Sequence, residues 1–149
     1  KSMKLLVKKK IKRMRIERNE KLIPIEVNEL LATNNWESKQ IERLEKVLDN
    51  SWGWITARDE SNKLIGFVHI ISDGVRHALI ARMIVHPDFR NKGIGTRIMN
   101  EVMKMLGENK LLPTLTANPG KASFYKKFGF ETESEGYTAM CIKKPFWNN

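Results

Sequence analysis

The chain has 149 residues, 41% of them hydrophobic, which is enough for a full core at the modal size of one domain. Lys and Arg number 27 against 17 Asp and Glu, a net charge of +10 that suits anionic partners such as phosphorylated cofactors, nucleic acid or acidic surfaces. A lone cysteine, Cys141, excludes an intrachain disulfide, and no apolar run reaches the roughly 20 residues that span a bilayer.

These features predict a single domain over residues 1–149 in a reducing, cytoplasmic setting, with Cys141 a small buried hydrophobe and no signal peptide. Residues 1–10 read as a basic leader or edge extension. "IKRMRIER" alternates loosely enough to be a first strand, and 25–32 reads as a short helix. "ESKQIERLEKVLDNS" places Ile41, Leu44, Val47 and Leu48 on one face of an amphipathic helix beginning near Ser38. "WGWITARDE" and "KLIGFVHII", separated by the turn pair "SN", predict an antiparallel hairpin. "ALIARMIV", apolar at nearly every position, predicts a central strand covered on both faces.

From Gly93 onward, Ile94, Ile98, Val102 and Met105 or Leu106 mark the buried stripe of a helix that Gly107 ends. "LLPTLT" is a short strand, "GKASFYKKFGF" a helix running into a strand, and "YTAMCIKK" a final strand. The order predicts an α/β fold with a mixed sheet and helices on both faces.

Two glycines in the first turn of a helix oppose helix formation, so another constraint sets Gly93 and Gly95. Helix N-termini expose backbone N–H groups, and glycines let a phosphate approach them. "RMIV" leads into a turn carrying Arg90 and Lys92, a fit for a pyrophosphate. The dinucleotide fingerprint fails because Ile98 stands where its third glycine belongs. The Walker A pattern fails because Ala122 follows Lys121 and Leu115 stands five positions before Gly120.

"VHPDFRNKGIGTRIM" resembles motif A of the GNAT superfamily of acetyl-CoA-dependent N-acetyltransferases, whose core [RQ]-x-x-G-x-[GA] reads here Arg90-Asn91-Lys92-Gly93-Ile94-Gly95. "ANPGKASFYKKFGF" is similar to the family's motif B, and the likeness extends over about residues 11–144. It is closest in kind to small single-domain bacterial members, including those similar to arylalkylamine N-acetyltransferases.

The resemblance implies a GNAT fold with a mostly antiparallel central sheet, acetyl-CoA as the acyl donor, and a small-molecule or peptide amine as acceptor. It implies that the turn from Arg90 to Thr96 binds the CoA pyrophosphate through backbone N–H groups, those of Lys92, Gly93, Ile94 and Gly95 among them. It further implies that Met83, Ile84 and Val85 splay from the neighbouring strand at a bulge and pair with the pantetheine arm. Asn118 matches the asparagine that contacts the cofactor arm, and Tyr125 the tyrosine placed beside the sulfur as general acid. Phe124 and Phe128 share one helix face at i, i+4 while Tyr125 points elsewhere, in keeping with that role.

Many members carry a Glu or His on the central strand as general base, where this chain has Leu79 and Ala81. His77 and Asp73 are the base candidates by sequence, each with a structural alternative: a surface histidine and a turn aspartate. His86 reads as structural, and His69 as a buried, hydrogen-bonded histidine with the cleft as its alternative. Trp36, Trp52 and Trp54 are core residues or lining for an acceptor pocket, and Ser51 and Gly53 mark a strand edge. No metal, membrane or nucleic-acid partner is expected, and a homodimer is compatible with the resemblance. The rival readings are nucleic-acid binding through "KLLVKKKIKRMRIER" and a CoA-binding sensor without turnover.

Overall fold

The computed structural model describes residues 2–5, 14–36, 40–132 and 140, in two compact units, Lys1–Thr116 and Ala117–Asn149. In the first unit the elements follow as β1 (Arg15–Arg18), α1 (Pro24–Ala32), α2 (Ile41–Asp49), β2 (Gly53–Arg58), β3 (Leu64–Ser72), β4 (His77–Val85), α3 (Ile94–Glu108) and β5 (Leu112–Leu115). The strands form one sheet in sequence order, antiparallel throughout except that β5 runs parallel to β4 across the α3 crossover. The expected mixed, mostly antiparallel sheet is therefore present. No helix among the described residues is long and apolar enough to cross a membrane.

The pleat sorts the side chains by face. On one face Phe67 and Ile84 pack with Leu64 against Val27, Leu30 and Leu31 of α1 and Leu44 and Leu48 of α2. On the other, Ile98, Met99, Val102 and Met105 bury the apolar stripe of α3. Gly66 of β3 lets α3 lie this close: a Cβ there would stand 2.7 Å from Ile98 Cδ1 and 3.1 Å from Ala57 Cβ.

A buried ion cluster pins the approach to α1. Arg58, only 4% exposed, donates through Nε to Glu20 Oε1 (2.6 Å) and through its two terminal nitrogens to both oxygens of Glu26 (3.1 and 3.0 Å). Glu20 Oε1 also accepts the Thr56 hydroxyl, so β2, the segment before α1 and the first turn of α1 share one network. The adjacent guanidinium holds the Glu26 carboxyl below the usual carboxylate range, against the opposing effect of burial.

Two expectations need correction. Gly107 does not end α3, which continues to Glu108. Lys110 supplies the left-handed residue instead (φ 55°), and the Leu111 and Lys110 N–H groups close back on Leu106 O (3.0 Å) and Gly107 O (3.1 Å). A lysine tolerates that conformation at a solvent-exposed cap, so the glycine signal pointed three residues too early. Nor is β4 covered on both faces: Leu79 is 41% exposed and its cross-strand neighbour Ile71 46%, because α1 and α2 cover only the part of that face around Phe67 and Ile84.

The second unit contains the expected short helix, α4 (Ala122–Lys126). Residues 130–132 carry no strand. Ser38, Cys141 and the start of the first strand at 11–13 lie outside the described residues, as does the final strand over 137–144 apart from 140.

Gly66→Ala is expected to lower stability by about 1–2 kcal/mol, because Ala57 and Ile98 must give way to the new methyl. Urea unfolding at constant m-value measures it; an unchanged midpoint would show that α3 does not rely on this close approach.

Candidate active site

The site begins where β4 loses its partner. Pairing of β4 with β5 runs from His77↔Leu112 to Ile80↔Leu115, leaving 81–85 without that strand beside them. On the β3 side the register slips at the same place: Phe67 faces Ile84 and His69 faces Ala81, so Arg82 and Met83 together oppose Val68. Arg82 takes a left-handed conformation there (φ 54°), uncommon for a residue with a Cβ. Beyond the bulge the His86 N–H reaches Ile65 O on β3 (2.8 Å), so by alternation Ile84 also faces β3 while Met83 and Val85 turn their backbone groups the other way.

The strand then enters a 3₁₀ turn, Pro87–Phe89, followed by two left-handed residues, Asn91 (φ 57°) and Gly93 (φ 79°). Gly93 caps α3 without a side-chain hydrogen bond, and the first intrahelical bond is Arg97 N–H to Gly93 O (3.0 Å). The N–H groups of Ile94, Gly95 and Thr96 therefore stand at the helix mouth with the positive end of the dipole. A Cβ on Gly93 would meet nothing within 4 Å, so the space before this backbone is open.

The cations of the turn brace the loop. Arg90 donates through Nε to Val85 O (3.1 Å) and through a terminal nitrogen to Asn34 Oδ1 after α1. Lys92 donates to Asp88 O and lies over the Phe89 ring, 5.6 Å from its centroid. Backbone N–H groups, more than these side chains, are what the turn offers an anion.

The two base candidates do not come to the bulge. His77 is exposed at the far end of β4, six residues and about 20 Å before Met83 along the strand. Asp73 Oδ1 accepts the N–H groups of Val75, Arg76 and His77 (2.9, 2.8 and 3.1 Å), and these bonds hold its carboxyl below the usual range. Its role is to fold the β3–β4 turn. Leu79 and Ala81 leave this stretch of β4 without an ionisable side chain before Arg82.

His69 occupies the sheet face between Phe67, on whose ring it stacks at 5.9 Å, and its cross-strand partner Ala81. It is 3% exposed. Ser51 Oγ donates its one proton to Val47 O (2.7 Å), so the 2.9 Å contact between Ser51 Oγ and His69 Nδ1 carries the histidine proton. Nε2 is then the unprotonated nitrogen, buried and without a hydrogen-bond partner among the described residues. Burial, aided by the charge of Arg82, lowers this imidazole to a pKa of about 4. Sequence reading took Ser51 only as an edge marker; an i+4 hydroxyl after an amphipathic helix is the signal that it closes α2.

Trp36 and Trp54 pack against the core under α1 and α2, with Trp54 Nε1 donating to Glu20 O (2.9 Å). Trp52 lies beside the β3–β4 turn, its Nε1 3.5 Å from where a Cβ on Gly74 would be. His86 is structural: its Nδ1 accepts the Asp88 N–H (3.2 Å) and its ring meets Phe89 edge-on at 5.7 Å.

In the second unit Asn118 is exposed, and its carbonyl accepts the Lys121 N–H (3.0 Å) as α4 begins. The Tyr125 ring sits edge-on to Phe124 (5.0 Å) and to Phe130 (6.2 Å), inside the aromatic cluster, because the helix ends at Lys126 and the turn brings Phe130 back. Burial raises its phenol above the usual pKa. Among the described residues no group of three or more His, Cys, Asp or Glu side chains could hold a metal ion.

The family model described as an acetyltransferase (GNAT) domain matches residues 50–132. An uncharacterized N-acetyltransferase, ycf52, of Pyropia yezoensis is 30% identical over 126 residues, covering 82% of this chain and 70% of its own length. A ycf52-like N-acetyltransferase of Prochlorococcus marinus is 33% identical over 116 residues, covering 75% of this chain and 64% of its own. The chain thus spans about two thirds of the length of these relatives. Among solved structures, a GNAT family acetyltransferase of Streptococcus pneumoniae superposes with a TM-score of 0.73 at 23% identity, over 88% of this chain and 98% of that one. A GNAT family N-acetyltransferase of Escherichia coli, solved in complex with CoA, gives 0.63 at 19% identity over 80% and 69%.

His69 sets a pH dependence whose sign is fixed. Its folded pKa of about 4 lies below the ordinary 6.5, so the unfolded chain binds the proton first as pH falls. Stability is level with respect to this group above about pH 6.5 and declines from there towards about pH 4. Imidazole titration by NMR is expected to find one ring neutral down to about pH 4, and His69→Phe to remove that part of the stability profile. A ring titrating near 6.5 would contradict the buried, neutral state.

Proposed function

This chain belongs to the GNAT family of acetyltransferases, and from that premise we propose that it transfers an acetyl group from acetyl-CoA to a primary amine by direct attack in a ternary complex, with Tyr125 as general acid. Acyl transfer from acetyl-CoA is general to the family. The observation that carries the reading for this chain is the conjunction in β4: a strand that parts from β5 after Ile80, bulges at Arg82 and Met83, and feeds a glycine turn at a helix N-terminus.

The residues present fit the donor. The open space before Gly93, the N–H groups of Ile94, Gly95 and Thr96, and the helix dipole suit a pyrophosphate. Residues 83–85 form an extended edge without β5 beside it, which would hold the pantetheine arm. When bound, acetyl-CoA supplies an activated acetyl group and a thiol leaving group.

The chain must then provide three things. An amine of pKa about 10.4 is only roughly one part in 2,500 neutral at pH 7, a handicap of about 4.6 kcal/mol. No acid or histidine of β4 near the bulge removes that proton, so water relayed along backbone carbonyls takes the place of a dedicated base. A backbone N–H of the 83–85 segment meets the charge developing on the acyl oxygen. Tyr125, whose raised pKa keeps it protonated at neutral pH, returns a proton to the departing thiolate.

Gly93→Asp and Gly95→Asp are expected to abolish acetyl-CoA binding measured by calorimetry, since each places a carboxylate at the anion's position. Retained affinity would remove the turn from donor binding. Tyr125→Phe is expected to lower turnover about a hundredfold with little change in CoA affinity. Equal turnover would take the acid role from Tyr125.

A further inference from the structure

Arg82 is the group at the bulge that the proposed reaction leaves unused. It makes no hydrogen bond or ion pair among the described residues, although it is half-buried; the other arginines of the sheet, Arg15, Arg18 and Arg58, are all paired with carboxylates. The titratable side chain that it affects is His69, a neutral imidazole that supplies no counter-charge. The backbone at Arg82 takes a left-handed conformation at the bulge, two residues past the last β4 residue paired with β5.

Its position along β4 decides what it can meet. On the proposed function, with the pyrophosphate at the turn after Val85 and the donor arm running back along 85–83, the acyl end would lie next to Arg82 in the strand. Arg82 lies three residues, about 10 Å, further from that turn than Val85, which removes it from the donor's phosphates. What reaches the acyl end from the other side is the acceptor.

We propose that Arg82 is a specificity-determining residue that binds an anionic group, a carboxylate or a phosphate, on the acceptor amine. The inference rests on the acetyl-transfer reading above and names the class of its acceptor. A guanidinium fork matches either oxyanion with two parallel N–H donors, and a half-buried cation without a protein counterion gains most from such a partner. The net charge of +10 favours the approach of anionic amines over polyamines.

The test uses the full chain with acetyl-CoA and matched acceptors: lysine against cadaverine, tyrosine against tyramine, phosphoethanolamine against ethanolamine, with release of CoA thiol as the readout. Wild type is expected to favour at least one anionic member of these pairs in kcat/KM. Because α-amines are also less basic than their decarboxylated counterparts, the decisive quantity is how that ratio changes in variants. Arg82→Gln and Arg82→Gly are expected to lower it at least tenfold, mainly through KM for the anionic acceptor, and Arg82→Lys to retain part of it. Glycine accepts the positive φ, so Arg82→Gly keeps the bulge while deleting the guanidinium, and an unchanged Tm verifies the fold. A ratio unmoved by either variant, or equal losses for both members of a pair, overturns the assignment. Thiol release with neutral amines alone overturns it while leaving acetyl transfer standing; no release with any amine overturns the acetyl-transfer reading and this assignment together.

Discussion

The site depends on β4 being paired along only part of its length. A strand in a sheet ordinarily spends its backbone hydrogen bonds on two neighbours, and three residues of β4 do so, from Ala78 to Ile80. Past that point β5 has ended, and the bulge opposite Val68 re-aims the chain. The segment that follows is held on one side by β3, and among the described residues no strand pairs with its other side. A parallel β4–β5 pair makes this practicable, because α3 must cross between them and its N-terminus starts just beyond the open end of β4. The same crossover that builds the sheet thus delivers a helix dipole to the unpaired end of β4.

Much of the remaining structure holds that geometry rigid. Gly66 draws α3 against the sheet, and Arg90 ties Val85 to Asn34, so the loop before α3 is fixed both to its own strand and to the segment after α1. The Arg58 cluster anchors the approach to α1, a buried guanidinium holding the partly buried carboxylates of Glu20 and Glu26. Ser51 closes α2 and orients His69 with the same oxygen. The Arg58, Ser51 and His69 contacts lie on the sheet face away from α3, where Leu79 and Ile71 stay exposed.

The elements from the first strand to β5 were legible in the sequence because each has a local cause. The α3 stripe, the α2 stripe, the "SN" turn and the glycines after Arg90 act over a few residues, and motif A spans a stretch short enough to read directly. The errors have local causes too. Gly107 looked like a helix stop because glycine is the commonest left-handed cap, and Lys110 took that place. His77 and Asp73 were candidates on proximity in sequence, but a strand carries neighbours apart at about 3.3 Å per residue, and a turn consumes its aspartate.

By itself the sequence determined the order of strands and helices from β1 to β5 and the glycine turn, since periodicity and spacing are properties of the chain alone, and its motifs carried the resemblance to the family. Only the tertiary structure decided which β4 residues lose their partner, that Arg90 and Lys92 brace the turn, and that Arg82 has no counterion among the described residues. It also decided that His69 is neutral, with its proton on Nδ1. Those outcomes depend on register, burial and the competition of distant groups for the same hydrogen bonds, and none of these is set until the sheet has formed.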